Sequence, residues 1–323
     1  MSKSDAVVIT GGLGYVGQSL AAVLKKRGEI PVVLDYRNIP SQVLDVPVFH
    51  GSIADEQIWE NIFETYHVDV IYHCAGLIVV SESVREPATY FQENLVAPLV
   101  MLNYIRKKGS IPVIFSSSAA VYGTPEVVPI PEETVKAPIS PYGITKWQFE
   151  EILRCYDKAY VQPWVALRYF NVAGSVEGVM ESHIPETHLL PRIAMALTQH
   201  EQPEIYGTDY PTPDGTAVRD YIHMHDLVEA HLLAAHYLQE GGVSAAFNVG
   251  SGHGHSVQEV MNGFARVTGL PVNPARLPRR AGDPPVLVAD IHKGQTELRF
   301  KPRYSHDIDR MIQDTWELLT ARE

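Results

Sequence analysis

The sequence predicts an α/β protein with a doubly wound parallel sheet and a smaller C-terminal α/β lobe. Short apolar runs recur through the first half of the chain, longer helical stretches separate them, and a glycine-rich turn joins the first strand to the first helix. Strands that alternate with helices indicate a parallel sheet covered on both faces. The length of 323 residues is enough for one large domain or two smaller ones.

The individual elements follow from the apolar runs and the turn residues between them. Five short runs are predicted as strands, at residues 6–10, 31–35, 70–73, 112–115 and 165–168. The first helix is expected to run from the glycine-rich turn to about residue 27, and further helices are expected at about 55–66, 87–107 and 141–160. Pro98 predicts a kink in the stretch 87–107, because proline lacks the N–H that a helix needs.

Composition and charge narrow the class of protein. Hydrophobic residues make up 45% of the chain and charged residues 20%, as in soluble globular proteins. The formal net charge of −12 argues against nucleic acid or an anionic membrane as a partner. No apolar stretch is long enough for a membrane span, and the N-terminus does not resemble a signal peptide. Cys74 and Cys155 form no disulfide framework, so a cytoplasmic location is expected.

The turn after the first strand is a candidate dinucleotide-binding loop. Its sequence, Thr10-Gly-Gly-Leu-Gly-Tyr-Val-Gly17, fits both Gly-x-Gly-x-x-Gly and Gly-x-x-Gly-x-x-Gly. Glycines permit the tight turn and let backbone amides approach a pyrophosphate, and the following helix N-terminus adds favourable partial charge. Asp35 ends the next strand, where an acid accepts hydrogen bonds from the adenosine ribose and repels a 2′-phosphate. The cofactor is therefore expected to be NAD, while Arg37 beside Asp35 leaves NADP open.

The chain changes in character after Asn171, where prolines become frequent and helices shorter. We expect residues 1–174 to form a Rossmann-type NAD-binding domain and residues 175–323 to form mainly a substrate-binding lobe. Return segments near 220–250, a helix followed by a strand, are expected to fold back onto the first domain.

A tyrosine and a lysine four residues apart, Tyr142 and Lys146, are the candidate proton-transfer groups. Residues at i and i+4 share one helix face, and an ammonium beside a phenol favours the phenolate and lowers its pKa. Ser118, at the end of an upstream strand, can hydrogen-bond the same substrate oxygen, with Ser116 and Ser117 as alternatives. Together with the glycine loop, this set predicts the oxidation of a secondary alcohol with hydride transfer to a nicotinamide.

These motifs resemble those of the extended short-chain dehydrogenase/reductase superfamily and, within it, the UDP-sugar 4-epimerases, over nearly the whole chain. The glycine loop and Pro141-Tyr-Gly-Ile-Thr-Lys146 are typical of the superfamily. Narrower matches are Asp209-Tyr-Pro-Thr-Pro-Asp-Gly215 and Val218-Arg-Asp-Tyr-Ile-His223. The other matching runs are His73-Cys-Ala-Gly-Leu77, Ser116-Ser-Ser-Ala-Ala-Val-Tyr-Gly123, Arg168-Tyr-Phe-Asn171 and Arg279-Arg-Ala-Gly-Asp283.

The resemblance implies roles for the candidate residues. Tyr142 corresponds to the acid/base, Lys146 to the residue on the nicotinamide ribose, and Ser118 to the partner of the sugar oxygen. The implied NAD site consists of Gly11, Gly14, Tyr15, Val16, Gly17, Asp35, Tyr36, Ser52, Ile53, Ala75, Gly76, Leu77, Asn94, Ser116, Tyr142, Lys146 and Tyr169. The chain departs from the family at Ser52, where an acid is frequent, and at Ile78, where a lysine is frequent.

The resemblance also implies a site for a UDP-sugar. Its residues would be Ser118, Tyr142, Asn171, His188, Leu189, Tyr206, Arg219, Arg280 and Asp283. Two arginines suit a pyrophosphate, because a guanidinium matches phosphate oxygens bidentately. Arg279 is an alternative to Arg280, and a surface ion pair with Asp220 is an alternative role for Arg219.

The implied reaction is the interconversion of UDP-galactose and UDP-glucose through a 4-keto intermediate. Ala119 and Ala120 stand where sugar dehydratases carry acids, and methyl groups cannot transfer protons, which argues against elimination of water. Another UDP-sugar stays open, because Leu287 is intermediate in size where the family selects against N-acetyl groups. A non-catalytic NAD-sensing protein is the alternative from another class.

The expected partners are a UDP-sugar and, by resemblance, a second copy of the chain. A homodimer would pack through the helices at about 87–107 and 141–160. Metal is not expected, because the pairs His223/His225 and His253/His255 lack a third convergent ligand. The glycine-rich run 250–254 is expected to shape a turn before a helix capped by Ser256.

Overall fold

The computed structural model describes residues 3–37, 45–180, 186–280 and 283–321. Ala281 and Gly282, from the run 279–283, lie outside the described residues. The strands are β1 (Ser4–Thr10), β2 (Pro31–Asp35), β3 (Val48–His50), β4 (Tyr66–His73), β5 (Val113–Ser118), β6 (Trp164–Tyr169), β7 (Asn171–Ala173), β8 (Glu204–Tyr206), β9 (Val218–His223), β10 (Ala245–Val249), β11 (Gly254–Ser256), β12 (Ala275–Leu277) and β13 (Val286–Leu287). The α-helices are α1 (Tyr15–Lys26), α2 (Glu56–Thr65), α3 (Val80–Arg85), α4 (Pro87–Phe91), α5 (Ala97–Ile105), α6 (Pro141–Tyr160), α7 (Leu189–Thr198), α8 (Met224–Gln239), α9 (Val257–Thr268), α10 (His292–Glu297) and α11 (Ile308–Thr320).

Seven parallel strands form the main sheet, in the order β10-β6-β5-β4-β1-β2-β3. The order reverses between β1 and β4, so connections from these two neighbours lead to opposite halves of the sheet. This is the doubly wound arrangement, in which ligands bind beyond the carboxyl ends of the strands at the reversal. The predicted fold class is confirmed.

The two faces of the sheet bury alternate residues of each strand, as the period of two requires. On β1, Val7 and Ile9 pack with α1 and α8, whereas Ala6 and Val8 pack with α2, α5 and α6. Each strand is therefore apolar on both sides, which explains why the strands appear in the sequence as continuous apolar runs.

The second half of the chain contributes to both parts of the molecule. Strand β10 pairs with β6 at the edge of the main sheet, and α8 covers one of its faces. Strands β7, β9, β11 and β13 form a smaller sheet, and β8 pairs with β12. A third apolar cluster joins α7, α9 and α11. The capping box predicted at Ser256 and Glu259 is confirmed at the start of α9.

Two differences from the predicted elements lie near the crevice. Strand β3 was not predicted, because it has three residues and only partial burial. The predicted helix 87–107 is divided into α4, a π-helical turn at Gln92–Val96, and α5, which ends at Ile105. Pro98 lies in the first turn of α5, directly after the π-helical turn, so the change in hydrogen-bond pattern lies beside the position of the predicted kink. Within the described ranges, no helix is both long and apolar enough to cross a membrane.

Candidate active site

The predicted cofactor residues gather at the carboxyl ends of neighbouring strands. The glycine loop follows β1, Asp35 ends β2, residues 75–77 follow β4, and Ser116 and Ser118 lie at the end of β5. Because β1 and β4 flank the reversal of strand order, these groups border one crevice. A crevice at this position is the usual place for a dinucleotide.

The glycine loop needs its glycines for steric reasons. Gly11 has φ +67°, and a Cβ there would lie 2.6 Å from backbone atoms of Ala75. A Cβ on Gly17 would lie 2.4 Å from the carbonyl oxygen of Gly11, so α1 could not approach the loop as closely. Gly14 caps α1, whose first residues are Tyr15 and Val16. The helix N-terminus and the closely packed backbone therefore fit the pyrophosphate of a dinucleotide.

Asp35 is buried, and an adjacent arginine engages its carboxylate. The backbone N–H of Leu13 donates to Asp35 Oδ2 at 3.0 Å, and Arg37 donates to the two oxygens through its backbone N, Nε and Nη2 at 2.8–3.0 Å. Arg37 Nη2 also lies 3.2 Å from the position of a Cβ on Gly14, over the glycine loop. Tyr36 between them is exposed. The Arg37 guanidinium thus already donates to the carboxylate that we expect to accept hydrogen bonds from the ribose hydroxyls.

We expect Arg37→Ala to raise the preference for NAD over NADP by about tenfold, roughly the effect of one charge-assisted hydrogen bond. The guanidinium competes with ribose hydroxyls for Asp35 and supplies a positive charge to a 2′-phosphate. Calorimetric titration of NAD and NADP into protein stripped of nucleotide measures the two dissociation constants. Arg27→Ala, which removes an exposed pair with Glu229, is the control. An unchanged ratio in Arg37→Ala would contradict the expectation.

The other predicted cofactor residues shape the turns around the crevice. The Asn94 side chain, held in the π-helical turn, accepts from Leu77 N at 2.8 Å and donates to Leu77 O at 3.0 Å, which fixes the loop 75–77. Gly76 in this loop has φ +155°, and a Cβ there would lie 3.4 Å from Lys146 Nζ. At the end of β3, Ser52 Oγ accepts from Ala54 N, and the carbonyl oxygen of Ile53 accepts from the Trp59 indole.

Tyr142 and Lys146 lie in the first two turns of α6, as predicted from their spacing. Ser140 caps the helix by accepting from Gly143 N. Lys146 Nζ donates to the carbonyl oxygen of Ser116 at 2.9 Å and lies 5.8 Å from the centroid of the Tyr142 ring. Lys146 is 4% exposed, and this burial lowers its pKa to about 8. Lys146 is therefore a cation at neutral pH and loses its charge in mildly alkaline solution.

The expectation that Lys146 lowers the pKa of Tyr142 is wrong when only the groups of the protein itself act on the phenol. Burial raises the pKa of the Tyr142 phenol above its ordinary value, and a hydrogen bond with Ser118 only partly opposes this. The ammonium donates to the Ser116 carbonyl and lies 5.8 Å from the centre of the Tyr142 ring, without a hydrogen bond to the phenol oxygen. A further positive charge beside the phenol is needed before the phenolate forms near neutral pH.

The structure distinguishes the three serines at the end of β5. Ser118 hydrogen-bonds to Tyr142, which fits its predicted role. Ser117 Oγ donates to Glu150 Oε1 at 2.5 Å inside the core, and Ser116 Oγ contacts the Tyr169 hydroxyl at 2.6 Å. Ser116 and Ser117 are thus engaged away from the phenol. Glu150 also pairs with Arg168 in a buried ion pair that joins α6 to β6.

A cavity of about 480 Å³ lies in the smaller lobe. Seven predicted substrate residues line it, namely Asn171, His188, Leu189, Tyr206, Arg219, Arg280 and Asp283. His188 caps α7 and hydrogen-bonds to Glu186 through Nδ1 at 3.0 Å, so the N-terminus of α7 forms part of the wall. Sequence analysis missed Arg192, Glu204 and Tyr221 in the lining. Tyr221 could have been found, since it lies in the narrow run 218–223.

The two predicted phosphate-binding arginines contact other lining residues. Arg219 donates to Asp283 Oδ1, and Arg280 stacks on the Tyr206 ring at 4.0 Å from its centroid. Arg219 is not paired with Asp220, so the proposed surface pair is wrong. Arg279 is turned away and bonds to Asp209, which favours Arg280 as the cavity residue.

Asp220 has a structural role that also explains the second glycine-rich run. Its buried carboxylate accepts from Ser251 N and Oγ at 2.6 and 2.7 Å, from Gly252 N at 3.0 Å and from Ala289 N at 3.1 Å. The amides of residues 250–254 therefore bind a carboxylate of the protein itself, as expected for a structural turn.

Of the two histidine pairs considered for metal, His223/His225 makes other hydrogen bonds. His223 Nδ1 accepts from His225 N, and His223 Nε2 contacts Asp314 at 2.9 Å. Elsewhere in the described part of the chain, Asp5, His67 and Asp69 bring three possible ligand atoms together. These side chains are largely exposed, at the amino ends of β1 and β4, the edge opposite the crevice.

The doubly wound sheet and its glycine loop at the strand reversal define a protein of the dinucleotide-binding class. The chain belongs to the NAD dependent epimerase/dehydratase family, whose model matches residues 7–250. It is 39% identical to a UDP-glucose 4-epimerase of Halalkalibacterium halodurans, over 96% of this chain and 94% of that protein.

Solved structures agree with the sequence comparison. The UDP-glucose 4-epimerase from Brucella ovis in complex with NAD superposes with a TM-score of 0.92 at 40% identity, covering 97% of this chain and 98% of that one. The enzyme from Bifidobacterium longum in complex with NAD and UDP gives 0.89 at 35% identity, covering 98% of each chain.

Proposed function

We propose that the protein interconverts UDP-galactose and UDP-glucose by oxidation at C4, turnover of the 4-keto sugar and reduction from the opposite face. The observation that carries the proposal is the pairing of two sites. Tyr142, Lys146 and Ser118 border the dinucleotide crevice, and a cavity with Arg219 and Arg280 lies in the adjoining lobe. The relatives named above as UDP-glucose 4-epimerases support the same reaction.

Each residue of the proton-transfer set has a distinct task. Tyr142 takes the proton of the C4 hydroxyl during oxidation and returns it during reduction. Ser118, which hydrogen-bonds the phenol, holds the same sugar oxygen and steadies its developing charge. Lys146 supplies a buried positive charge one helical turn away.

NAD supplies a hydride acceptor when bound and, in its oxidised form, a positive charge. A positive charge beside the Tyr142 phenol would offset the burial that raises its pKa, because a nearby cation favours the phenolate. The residues suited to hold the cofactor are those of the glycine loop and Asp35. Ala119 and Ala120, directly after Ser118, offer no acid for elimination, so the set serves oxidation and reduction only.

The cavity residues hold the UDP portion. Binding of a pyrophosphate would draw Arg219 away from Asp283 and Arg280 away from the face of Tyr206. Bidentate hydrogen bonds to phosphate are stronger than the single hydrogen bond to Asp283 or the stacking on Tyr206. Tyr206 is then exposed to stack against uracil, and Asp283 is released to accept ribose hydroxyls. Most contacts address UDP, which leaves the sugar free to turn over between oxidation and reduction.

The direct test is to incubate the purified protein with UDP-galactose, without added NAD, and to measure UDP-glucose. We expect conversion, since NAD is regenerated in each cycle. Parallel reactions with UDP-GlcNAc and UDP-xylose determine the range of sugars. Leu287, on the strand that pairs with Arg219, is the residue whose size we expect to set tolerance of an N-acetyl group. Failure with every UDP-sugar would refute the proposed function.

We propose that the protein is a cytoplasmic homodimer. Val96 and Tyr160, on the two helical segments expected at the interface, are 46% and 51% exposed, and burial by a second copy would remove this apolar surface from water. Two free cysteines suit a reducing compartment. Light scattering in solution should give twice the mass of the chain, and a monomer at working concentration would contradict the dimer.

A further inference from the structure

A chain of hydrogen bonds runs from the crevice into the core behind it. The Tyr169 hydroxyl contacts Ser116 Oγ at 2.6 Å and His231 Nε2 at 2.5 Å, and His231 Nδ1 contacts the carbonyl oxygen of Leu227 at 2.8 Å. His231 lies on α8 and is fully buried, and Ser116 is 7% exposed. Ser116 also accepts from Lys146 through its backbone, so the chain ends beside the proton-transfer set. We call these groups, Leu227, His231, Tyr169 and Ser116, the relay.

The carbonyl of Leu227 sets the direction of every hydrogen bond in the relay. A carbonyl oxygen only accepts, so His231 Nδ1 must carry the proton. Burial lowers the pKa of His231 to about 4, so the ring is neutral and Nε2 is an acceptor. Tyr169 must then donate its only proton to His231. The contact between the two hydroxyls therefore requires Ser116 to donate to Tyr169.

With its own proton on Tyr169, the Ser116 oxygen can accept from the protonated Cys74 thiol, with which it hydrogen-bonds, and keeps one further lone pair for another donor. An acceptor at that point suits an N–H donor. The carboxamide of nicotinamide has an amino group of this kind, and it is the polar substituent by which the ring can be oriented.

We propose that His231 is a positioning residue, which fixes the hydroxyl protons of Tyr169 and Ser116 so that Ser116 accepts a hydrogen bond from the nicotinamide carboxamide of NAD. The inference rests on the cofactor role proposed for Ser116. His231 does not touch the cofactor, and its effect passes through Tyr169. If the imidazole is removed, Tyr169 is free to donate to Ser116, and Ser116 then presents a proton to the carboxamide amino group.

The test compares His231→Phe with His231→Gln in protein stripped of nucleotide, with NAD dissociation constants measured by calorimetry. We expect His231→Phe to weaken NAD about tenfold, the effect of one lost hydrogen bond. His231→Gln can donate to Leu227 O and accept from Tyr169, so it should bind NAD within about twofold of the wild type. His225→Phe, on the same helix and outside the relay, is the control. Unfolding midpoints verify that each variant is folded.

A double-mutant cycle separates the relay from a general packing effect. Tyr169→Phe should weaken NAD about as much as His231→Phe, and the double variant should be no weaker than either. Additive losses, or equal losses in His231→Phe and His231→Gln, would refute the proposal. If His231→Phe does not fold, the same reasoning applies to Tyr169→Phe and Ser116→Ala, whose losses should not add. NAD binding is measured without sugar, so this result is independent of whether UDP-galactose is converted.

Discussion

Tyr142→Phe should lower kcat for conversion of UDP-galactose by about 10³-fold, within the range for removal of a general acid or base. The substitution removes one oxygen and leaves the ring, the helix and Lys146 in place. NAD binding should change little, because Asp35 and the glycine loop lie on other strands. The effect should appear in kcat and in kcat/KM alike, since proton transfer occurs in the chemical step.

The matched control is Tyr160→Phe, at the other end of α6, which keeps the 51% exposed ring that we propose to lie in the dimer interface and removes only its oxygen. It removes a phenol oxygen from the same helix outside the crevice, and full activity is expected. If Tyr142→Phe stays within about fivefold of the wild type, Tyr142 is not the acid/base, and Ser118 would have to be reconsidered.

Lys146→Met should lower kcat by about 10²-fold or more and abolish the fall of kcat/KM at alkaline pH. Burial lowers the pKa of Lys146 from its ordinary value of 10.5 to about 8. The cation is present below that pH and lost above it, so wild-type kcat/KM should fall as pH rises through about 8. The residual activity of Lys146→Met should not show this fall. Lys158→Met, an exposed lysine at the end of the same helix, serves as the control.

The lowered pKa of Lys146 also predicts that the free energy of unfolding rises with pH, whereas kcat/KM falls. Between pH 8 and 10.5 the unfolded chain binds the Lys146 proton more strongly than the folded chain does, so stability rises with pH in this window. The free energy of unfolding of the wild type relative to Lys146→Met should therefore increase by about 1–2 kcal/mol between pH 7.5 and 10. Urea denaturation of nucleotide-stripped protein at both pH values measures it, and the absence of an increase would mean that burial does not lower the pKa of Lys146 in solution.

The sequence predicted those features that local chain geometry determines. A glycine loop between a strand and a helix requires close backbone approach, and the positive φ of Gly11 agrees with it. Tyr142 and Lys146 share a helix face because of their spacing, and α6 has the predicted bounds. Strand β4 was predicted only from residue 70, because residues 66–69 alternate with the polar His67 exposed and the polar Asp69 half-buried. Strands of two or three residues in the smaller lobe carry too little pattern to be recognised.

By itself, the sequence predicted the alternating α/β order, the glycine loop, a candidate proton-transfer pair and nine candidate substrate residues, seven of which line one cavity. Tertiary structure decided what depends on residues far apart in the chain. It showed that burial raises the pKa of Tyr142, that Ser118 is the serine beside it, and that Arg219 pairs with Asp283, 64 residues away. It also brought His231 into hydrogen-bond contact with Tyr169, which lies 62 residues earlier in the chain. The physical reason is that desolvation and hydrogen-bond direction belong to an environment assembled by folding, whereas spacing on a helix or a turn is already set by neighbouring residues.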